Sequence, residues 1–162
     1  MRVLASRLIF CAVLFLGAAL ESPAVAQDRV IQVPTDDQEM QRAMTAARGS
    51  LGEFWKAFDA PKPGEEGFAL KVAIIDGSKV EHFWVNRVER SGQTISGIIN
   101  NDPNDVTSVK LGQRVEFPPD RISDWMFLRN SKIVGNATLR VLMKFMPKDQ
   151  ADQYRVMLEP AR

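Results

Sequence analysis

Residues 68 to 88 read FALKVAIIDGSKVEHFWVNRV. Two runs rich in β-branched and aromatic residues flank Asp76-Gly77, a dipeptide that favours a tight β-hairpin turn. From Phe68 to Leu128 the apolar residues recur with a period close to two, as in strands. We therefore predict an antiparallel β-hairpin over residues 68–88.

Further strands follow the hairpin. TISGIIN at 94–100, RVEF at 114–117 and ISDWMFL at 122–128 are typical of strands, and turn-forming residues separate them. Five strands with mostly short links predict an antiparallel meander that is strongly curled, or closed like a small barrel. Because helical patterns lie before and after these strands, the predicted fold class is α+β in one domain.

The predicted N-terminal helix spans about residues 36–59. Its apolar face consists of Met40, Met44, Ala47, Leu51, Phe54 and Phe58, spaced by three and four residues. Thr35 is the predicted cap, with Gln38 completing a capping box. The helix is either bent at GSLG (49–52) or broken into two helices, in which case Ser50 and Glu53 form a second capping box.

The C-terminal part is predicted to contain a helix or helices. Asn136 or Thr138 caps the first, whose apolar residues are Leu139, Leu142, Met143 and Met146. Pro147 interrupts this helix and opens a last one through KDQADQYRVML.

The first 26 residues have the pattern of a secretory signal peptide. Arg2 and Arg7 precede an apolar run at 8–20, and Ala24-Val25-Ala26 forms a small-x-small cleavage site before Gln27. The run is shorter than the roughly 20 apolar residues that span a bilayer. We expect cleavage after Ala26, a periplasmic or secreted location, no membrane anchor after cleavage, and a single mature domain at 27–162.

Cleavage changes the composition of the chain. Cys11 leaves with the leader, and Phe10 before it excludes a lipoprotein anchor because a small residue is required there. The mature chain therefore has no disulfide and no thiol nucleophile. The 21 basic and 20 acidic residues fall to 19 each, so the neutral mature chain gives no support for binding nucleic acid.

The same composition limits cofactor chemistry. With one His and no Cys, a zinc site would have to be built mostly from carboxylates, so we expect no metal. No phosphate-binding loop or dinucleotide fingerprint is present, and we expect no cofactor.

The segment EHFWVN at 81–86 combines the single His with a Glu and two aromatic residues. On a regular strand, neighbouring side chains point to opposite faces. Glu81 therefore lies on one face, while His82, Trp84 and Asn86 share the other. The shared face is the better candidate for a site, whereas a histidine packed beside Trp84 is the structural alternative.

Asp124, in ISDWMF, is a candidate for a partly buried carboxylate that needs a partner. The candidate partners are Arg140, Lys71 and His82. Paired with Asp124, His82 would be oriented as in a catalytic triad, but none of the possible hydroxyl nucleophiles lies in a nucleophile motif. Those hydroxyls belong to Ser96, Ser123 and Thr138. A structural ion pair or turn cap is the other interpretation of Asp124.

The asparagine-rich segments NNDPND and GNAT are typical of turns. Alternatively, Asn100, Asn101 and Asn136 line the mouth of the curled sheet, where polar groups would bind a ligand.

Several motifs together resemble the YegJ-like family of bacterial domains of unknown function, numbered 2314 among such families. They are Glu81-His82-x-Trp84, Gly97-x-x-x-Asn101-x-Pro103, Gly112-x-x-Val115, Ile122-x-Asp124-Trp125-Met126 and Gly135-x-x-Thr138-x-Arg140. The resemblance covers roughly residues 54–142. At 135–138 the chain reads GNAT, where the family pattern has Gly-Gly-aromatic-Thr.

The resemblance implies one compact domain in a bacterial, often exported protein, and brings no activity or cofactor. It favours testing the shared motif residues together: Glu81, His82, Trp84, Asp124, Trp125, Thr138 and Arg140. Our full set of ligand-binding candidates is His82, Trp84, Asn86, Asn101, Trp125, Asn136, Thr138 and Arg140.

The leading functional hypothesis is a periplasmic, non-enzymatic module that binds a protein or a small ligand. The alternative is a hydrolase-like enzyme in which His82 is the base and Asp124 or Glu81 its partner. A third possibility is an assembly role for the apolar face of the 36–59 helix.

Overall fold

The computed structural model describes residues 7–10, 31–34, 37–92 and 94–160. The helices are α1 Gln38–Gly49, α2 Leu51–Asp59, α3 Ala137–Leu142 and α4 Lys148–Met157. The strands are β1 Arg7–Phe10, β2 Ile31–Pro34, β3 Glu65–Asp76, β4 Lys79–Ser91, β5 Thr94–Ile99, β6 Arg114–Phe117, β7 Ile122–Arg129 and β8 Lys132–Gly135. Helices and an antiparallel sheet in one fold confirm the α+β class.

Six strands, β3 to β8, form the antiparallel sheet in the order β6-β5-β4-β3-β7-β8. The prediction of five strands is wrong by one, because KIVG at 132–135 adds β8 beside β7. The meander holds only from β3 to β6. The chain then crosses back, and β7 pairs with the other edge of β3. Among the described strands β6 and β8 are not paired with each other, so the sheet is open and the barrel prediction is wrong.

The central hairpin forms as predicted. β3 and β4 pair from Leu70 opposite Val85 to Asp76 opposite Lys79, and Gly77 in the turn has φ +61°. Glycine adopts this left-handed conformation without steric cost, which explains the Asp-Gly signal.

The helical pattern at 36–59 forms two helices rather than one bent helix. The break falls at Ser50, whose φ of −98° and ψ of 6° leave the helical region. The Ser50 hydroxyl donates back to the carbonyls of Ala46 and Ala47, at 3.0 and 3.2 Å. Because the hydroxyl makes no capping bond to α2, the second capping box with Glu53 does not form.

The cap of α1 is Asp37, whose Oδ1 accepts a hydrogen bond from the Met40 amide at 2.7 Å. The predicted cap Thr35 lies outside the described residues. A carboxylate at this position also complements the positive end of the helix dipole.

The sheet separates two apolar clusters. On one face Leu70, Phe83 and Val85 belong to the same cluster as Phe54 of α2, which is fully buried. Phe54 belongs to an aromatic group that includes Trp125, with ring centroids 6.1 Å apart. The other cluster is formed mainly by α3 and α4 with one end of α1. Its buried members include Met40, Met44, Leu139, Leu142 and Tyr154.

The C-terminal helices follow the prediction in part. A 3₁₀ turn at Met143–Phe145 ends α3, and Pro147 precedes α4 as expected. Asn136 occupies the position before α3 with a φ of 54°, but neither Asn136 nor Thr138 caps the helix with its side chain.

The two short N-terminal strands, β1 and β2, extend the sheet next to β4. β1 pairs antiparallel with β2 and parallel with β4, where Ile9 is opposite Glu81 and Phe10 opposite His82. Arg7–Phe10 falls within the predicted leader, and the rest of that leader lies outside the described residues. The signal peptide and its cleavage stay predictions.

Candidate functional site

Three polar or aromatic side chains stand in one row across the sheet. Lys71 on β3 lies opposite Trp84 on β4 and opposite Asp124 on β7. Cross-strand neighbours project to the same face, so the row places a cation, an indole and a carboxylate together. The Lys71 Nζ lies 4.7 Å from the centre of the Trp84 ring, within cation–π range.

A β-bulge in β7 adds a fourth residue to this face. The register with β3 passes from Lys71 opposite Asp124 to Val72 opposite Ile122, which leaves Ser123 as the extra residue. The Ser123 hydroxyl is thereby brought within 2.7 Å of His82 Nδ1 and within 3.2 Å of the Lys71 carbonyl.

The Asp124 carboxylate caps α3 from the neighbouring strand. It accepts hydrogen bonds from the amides of Trp125, Ala137 and Thr138, at 2.8, 3.2 and 2.7 Å. The Thr138 hydroxyl also donates to it at 2.6 Å and accepts from Lys71 Nζ at 3.0 Å. Asp124 therefore ties the sheet to α3, which agrees with the capping interpretation.

Burial raises the pKa of Asp124 above its ordinary value. The charge of Lys71 and the hydrogen bonds from Thr138 and Trp125 act in the opposite direction. A carboxylate this deeply buried needs such donors to stay ionised.

The His82 ring is buried and bonded to the Ser123 hydroxyl. A hydroxyl carries one hydrogen, so the Ser123 bonds to Lys71 and His82 are both satisfied when the proton sits on imidazole Nδ1. Burial lowers the pKa of His82 from 6.5 to about 3, with the charges of Lys71 and Arg48 acting the same way. A neutral imidazole with so low a pKa accepts a proton poorly at neutral pH.

This shift predicts that His82 makes the protein acid-sensitive. Below about pH 6.5 His82 is protonated in the unfolded state, whereas in the folded state it is protonated only below about pH 3. The free energy of unfolding therefore decreases as the pH is lowered from about 6.5 to about 3. Between about pH 7.5 and pH 5 we expect His82 to account for a loss of about 2 kcal/mol.

Urea unfolding of wild type and His82→Asn at both pH values measures this loss. The Asn amide can replace imidazole Nδ1 as the donor to Ser123 but does not titrate, and all other groups are common to both proteins. Parallel stability curves would contradict the assignment.

Glu81, the catalytic alternative, fills a nest of backbone amides. Its fully buried carboxylate accepts the N–H groups of Asn104, Asp105 and Val106 at 3.0 to 3.1 Å. Asp76 takes the next two amides, at 107 and 108, and hydrogen bonds from Thr107 lower its pKa. Five consecutive amides of the loop are thus bound by two carboxylates of the central hairpin.

Three other candidates have structural contacts. Asn101 Oδ1 accepts the Trp84 amide at 2.9 Å, which fixes the loop to β4. The Trp125 indole donates to the Ala47 carbonyl at 2.9 Å inside the core. Arg140 donates to the Glu159 carbonyl at 2.6 Å near the end of α4. Their roles in binding stay predictions.

A cavity of about 430 Å³ lies between the sheet and helices α3 and α4. Trp84 and Lys71 line it from the sheet, and most of its remaining wall is apolar. The apolar residues include Met126, Leu128, Ile133, Leu139, Leu142 and Met157. Its volume is in the range of small-molecule sites.

Asn136 gives this cavity its unsatisfied polar group. The residue is 6 % exposed and lines the cavity. Its Nδ2 contacts the Met126 sulfur at 3.7 Å, whereas its Oδ1 has no hydrogen-bond partner among the described residues. A buried acceptor without a donor costs roughly 1–3 kcal/mol, which a bound donor would recover.

The structure thus groups some candidates and separates others. Trp84 and Asn136 both line the cavity, and Asn86 lines an adjoining one. His82 and Thr138 belong to the buried network behind Lys71. The Asp124 bonds given above go to α3 and Trp125, so the hydrolase alternative stays a prediction.

Sequence reasoning missed the contribution of α4 and the bulge. Tyr154 and Met157 line the cavity, and their spacing of three on a helix was the available signal. The bulge at Ser123 leaves no local signal, because ISDWMF is equally compatible with a regular strand.

Within the described ranges, no group of three or more His, Cys, Asp or Glu residues could hold a metal ion. None of the helices in this part of the chain is both long and apolar enough to cross a membrane.

Comparison with known proteins supports the motif resemblance. Residues 37–158 match the family described as "Uncharacterized protein conserved in bacteria (DUF2314)", a wider span than the expected 54–142. The chain is 36% identical over 131 residues to uncharacterized protein YegJ of Escherichia coli K12, covering 81% of this chain and 84% of that one. No solved structure matches it.

A second relative is longer. A putative ankyrin repeat protein of Neisseria meningitidis serogroup B is 29% identical over 133 residues. The match covers 77% of this chain and 53% of that protein.

Proposed function

Because this chain belongs to the DUF2314 family of uncharacterized bacterial proteins, we propose a function from its own geometry: an exported, non-enzymatic binding module. Its ligand is a small amphipathic molecule that enters the cavity between the sheet and helices α3 and α4. The ligand has an apolar body and at least one N–H or O–H donor.

The observation that carries this proposal is the unpaired Oδ1 of Asn136 in an otherwise largely apolar cavity. Cavities that are only apolar select ligands weakly, whereas one well-placed acceptor gives orientation and specificity. The backbone of Asn136 is held in position by its N–H group, which donates to the Trp125 carbonyl at 2.8 Å.

The N-terminal sequence supports export. The two arginines, the apolar run and the Ala-Val-Ala site fit a signal peptide. We expect the protein recovered from the periplasm of a bacterial host to begin at Gln27, as read by N-terminal sequencing. Recovery of the intact chain from the cytoplasm alone would contradict export.

Titration with hexanamide tests the binding function. The amide N–H is expected to donate to Asn136 Oδ1 while the alkyl chain enters the apolar part of the cavity. Methyl hexanoate, which lacks a donor, should bind about five- to tenfold more weakly, since one satisfied hydrogen bond is worth roughly 1–1.5 kcal/mol. Chemical shift changes in ¹H–¹⁵N spectra measure both affinities.

Two variants locate the binding. Leu139→Trp fills the cavity and should abolish binding, and Asn136→Gly should remove the preference for the amide without strain at the φ of 54°. Asn130→Gly is the matched control, because Asn130 is an exposed asparagine with a φ of 48° outside the cavity lining. Binding unaffected by Leu139→Trp would refute the proposal.

A further inference from the structure

A second cavity of about 370 Å³ adjoins the first. The two share Gly67, Trp84 and Met126 in their walls. The second is bounded by the aromatic residues Phe58 and Phe68. The shared residues make the two cavities neighbouring parts of one groove along the sheet.

The second cavity has its own unsatisfied acceptor. Asn86 Oδ1 is buried without a hydrogen-bond partner among the described residues. Its Nδ2 donates to Asn100 Oδ1 at 2.9 Å, and Oδ1 is the atom left without a partner. Each end of the groove thus presents one side-chain carbonyl that needs a donor.

These acceptors select the chemistry of the ligand. A carboxylate at either end would place acceptor against acceptor, and an amine would bring a second cation towards Lys71. Neutral N–H donors separated by an apolar stretch satisfy both ends, and an extended peptide backbone supplies them.

We propose, resting on the binding function above, that the groove binds one short extended peptide with apolar side chains, whose N–H groups donate to Asn86 and Asn136. Asn86 lies on β4, and Asn136 follows β8, three strand positions away. At about 4.8 Å per strand this separation is about 14 Å. An extended chain rises about 3.3 Å per residue, so about three or four residues fit.

The test uses acetyl-Leu-Ala-Leu-amide and two analogues in which methyl groups remove the N–H donors at one end or the other. Calorimetry with the full chain should show that each analogue binds about tenfold more weakly than the parent. Because these probes act on the wild-type protein, the result does not depend on a variant that folds.

Variants then assign each end of the peptide. Asn86→Ala and Asn136→Gly should each lower the affinity for the parent peptide about tenfold. In each variant, the analogue that lacks the N–H donors at the altered end should bind with the same affinity as the parent peptide. Asn130→Gly should bind as wild type.

The outcomes separate the two proposals. If Asn136→Gly weakens binding and Asn86→Ala does not, the two-ended peptide is refuted while the binding function stands. If neither hexanamide nor the peptide binds wild type, the binding function itself fails.

Discussion

Replacing Asp124 with Ala is expected to lower the free energy of unfolding by about 3–5 kcal/mol. The substitution removes the buried carboxylate to which Lys71 is linked through the Thr138 hydroxyl, and removing one charge from a buried network has a cost of this size. It also removes the acceptor for the Ala137 and Thr138 amides, so α3 loses its cap. Denaturant unfolding followed by circular dichroism measures the loss.

The matched control is Asp59→Ala. Asp59 pairs with Arg90 at 2.7 Å, but its side chain is 53% exposed, so its loss should cost at most about 1 kcal/mol. The double variant Lys71→Met, Asp124→Ala should recover part of the loss, because the buried charge of Lys71 is removed together with the carboxylate. Equal losses for Asp124→Ala and Asp59→Ala would show that the network does not stabilise the fold.

The second large effect is expected at Gly135. An Ala Cβ there would lie 2.5 Å from the Trp125 carbonyl oxygen and 2.6 Å from its ring, at a φ of +81°. The left-handed conformation costs about 1–2 kcal/mol for Ala, and the overlap adds about 1–3 kcal/mol. We expect Gly135→Ala to lose about 2–5 kcal/mol in urea unfolding at an unchanged m-value.

Gly112 provides the control for the conformational part alone. Its φ is +80°, but a Cβ there meets nothing within 4 Å. Gly112→Ala should therefore lose only about 1–2 kcal/mol. If both glycine variants lose the same amount, the close approach of Gly135 to Trp125 does not matter to stability.

Local sequence signals predicted the central hairpin because the turn and both strands are adjacent in the chain. Asp76-Gly77 fixes the turn, and the residues around it fix the strands. The place of β7 was not predictable in this way. Its pairing with β3 joins residues about 50 positions apart, such as Lys71 and Asp124. The alternation of apolar and polar residues within one strand does not indicate which distant strand it pairs with.

The break between α1 and α2 illustrates a different limit. The apolar spacing continues through Ser50, so periodicity alone favours one helix. At the break, the Ser50 hydroxyl lies within hydrogen-bond distance of two carbonyls of the preceding turn. Serine competes for backbone groups in this manner in many contexts, and tertiary packing decides when it succeeds.

The sequence predicted which side chains of β4 share one face of the strand, but it did not predict the cavity that some of them line. Pleating placed His82, Trp84 and Asn86 together, and the structure has Trp84 and Asn86 in the groove walls. The loss of basicity at His82 depends on burial under other elements, which a single strand does not show. Asn136 joins the groove only because β8, an unpredicted strand, positions it.

The loop filled by Glu81 and Asp76 has a consequence for dynamics. Residues 104–108 have no regular secondary structure, yet each of their five amides is bound to a carboxylate. Amide hydrogen exchange depends on how often such bonds open. These loop amides should therefore exchange on the timescale of the adjacent strands, although the loop itself has no regular secondary structure.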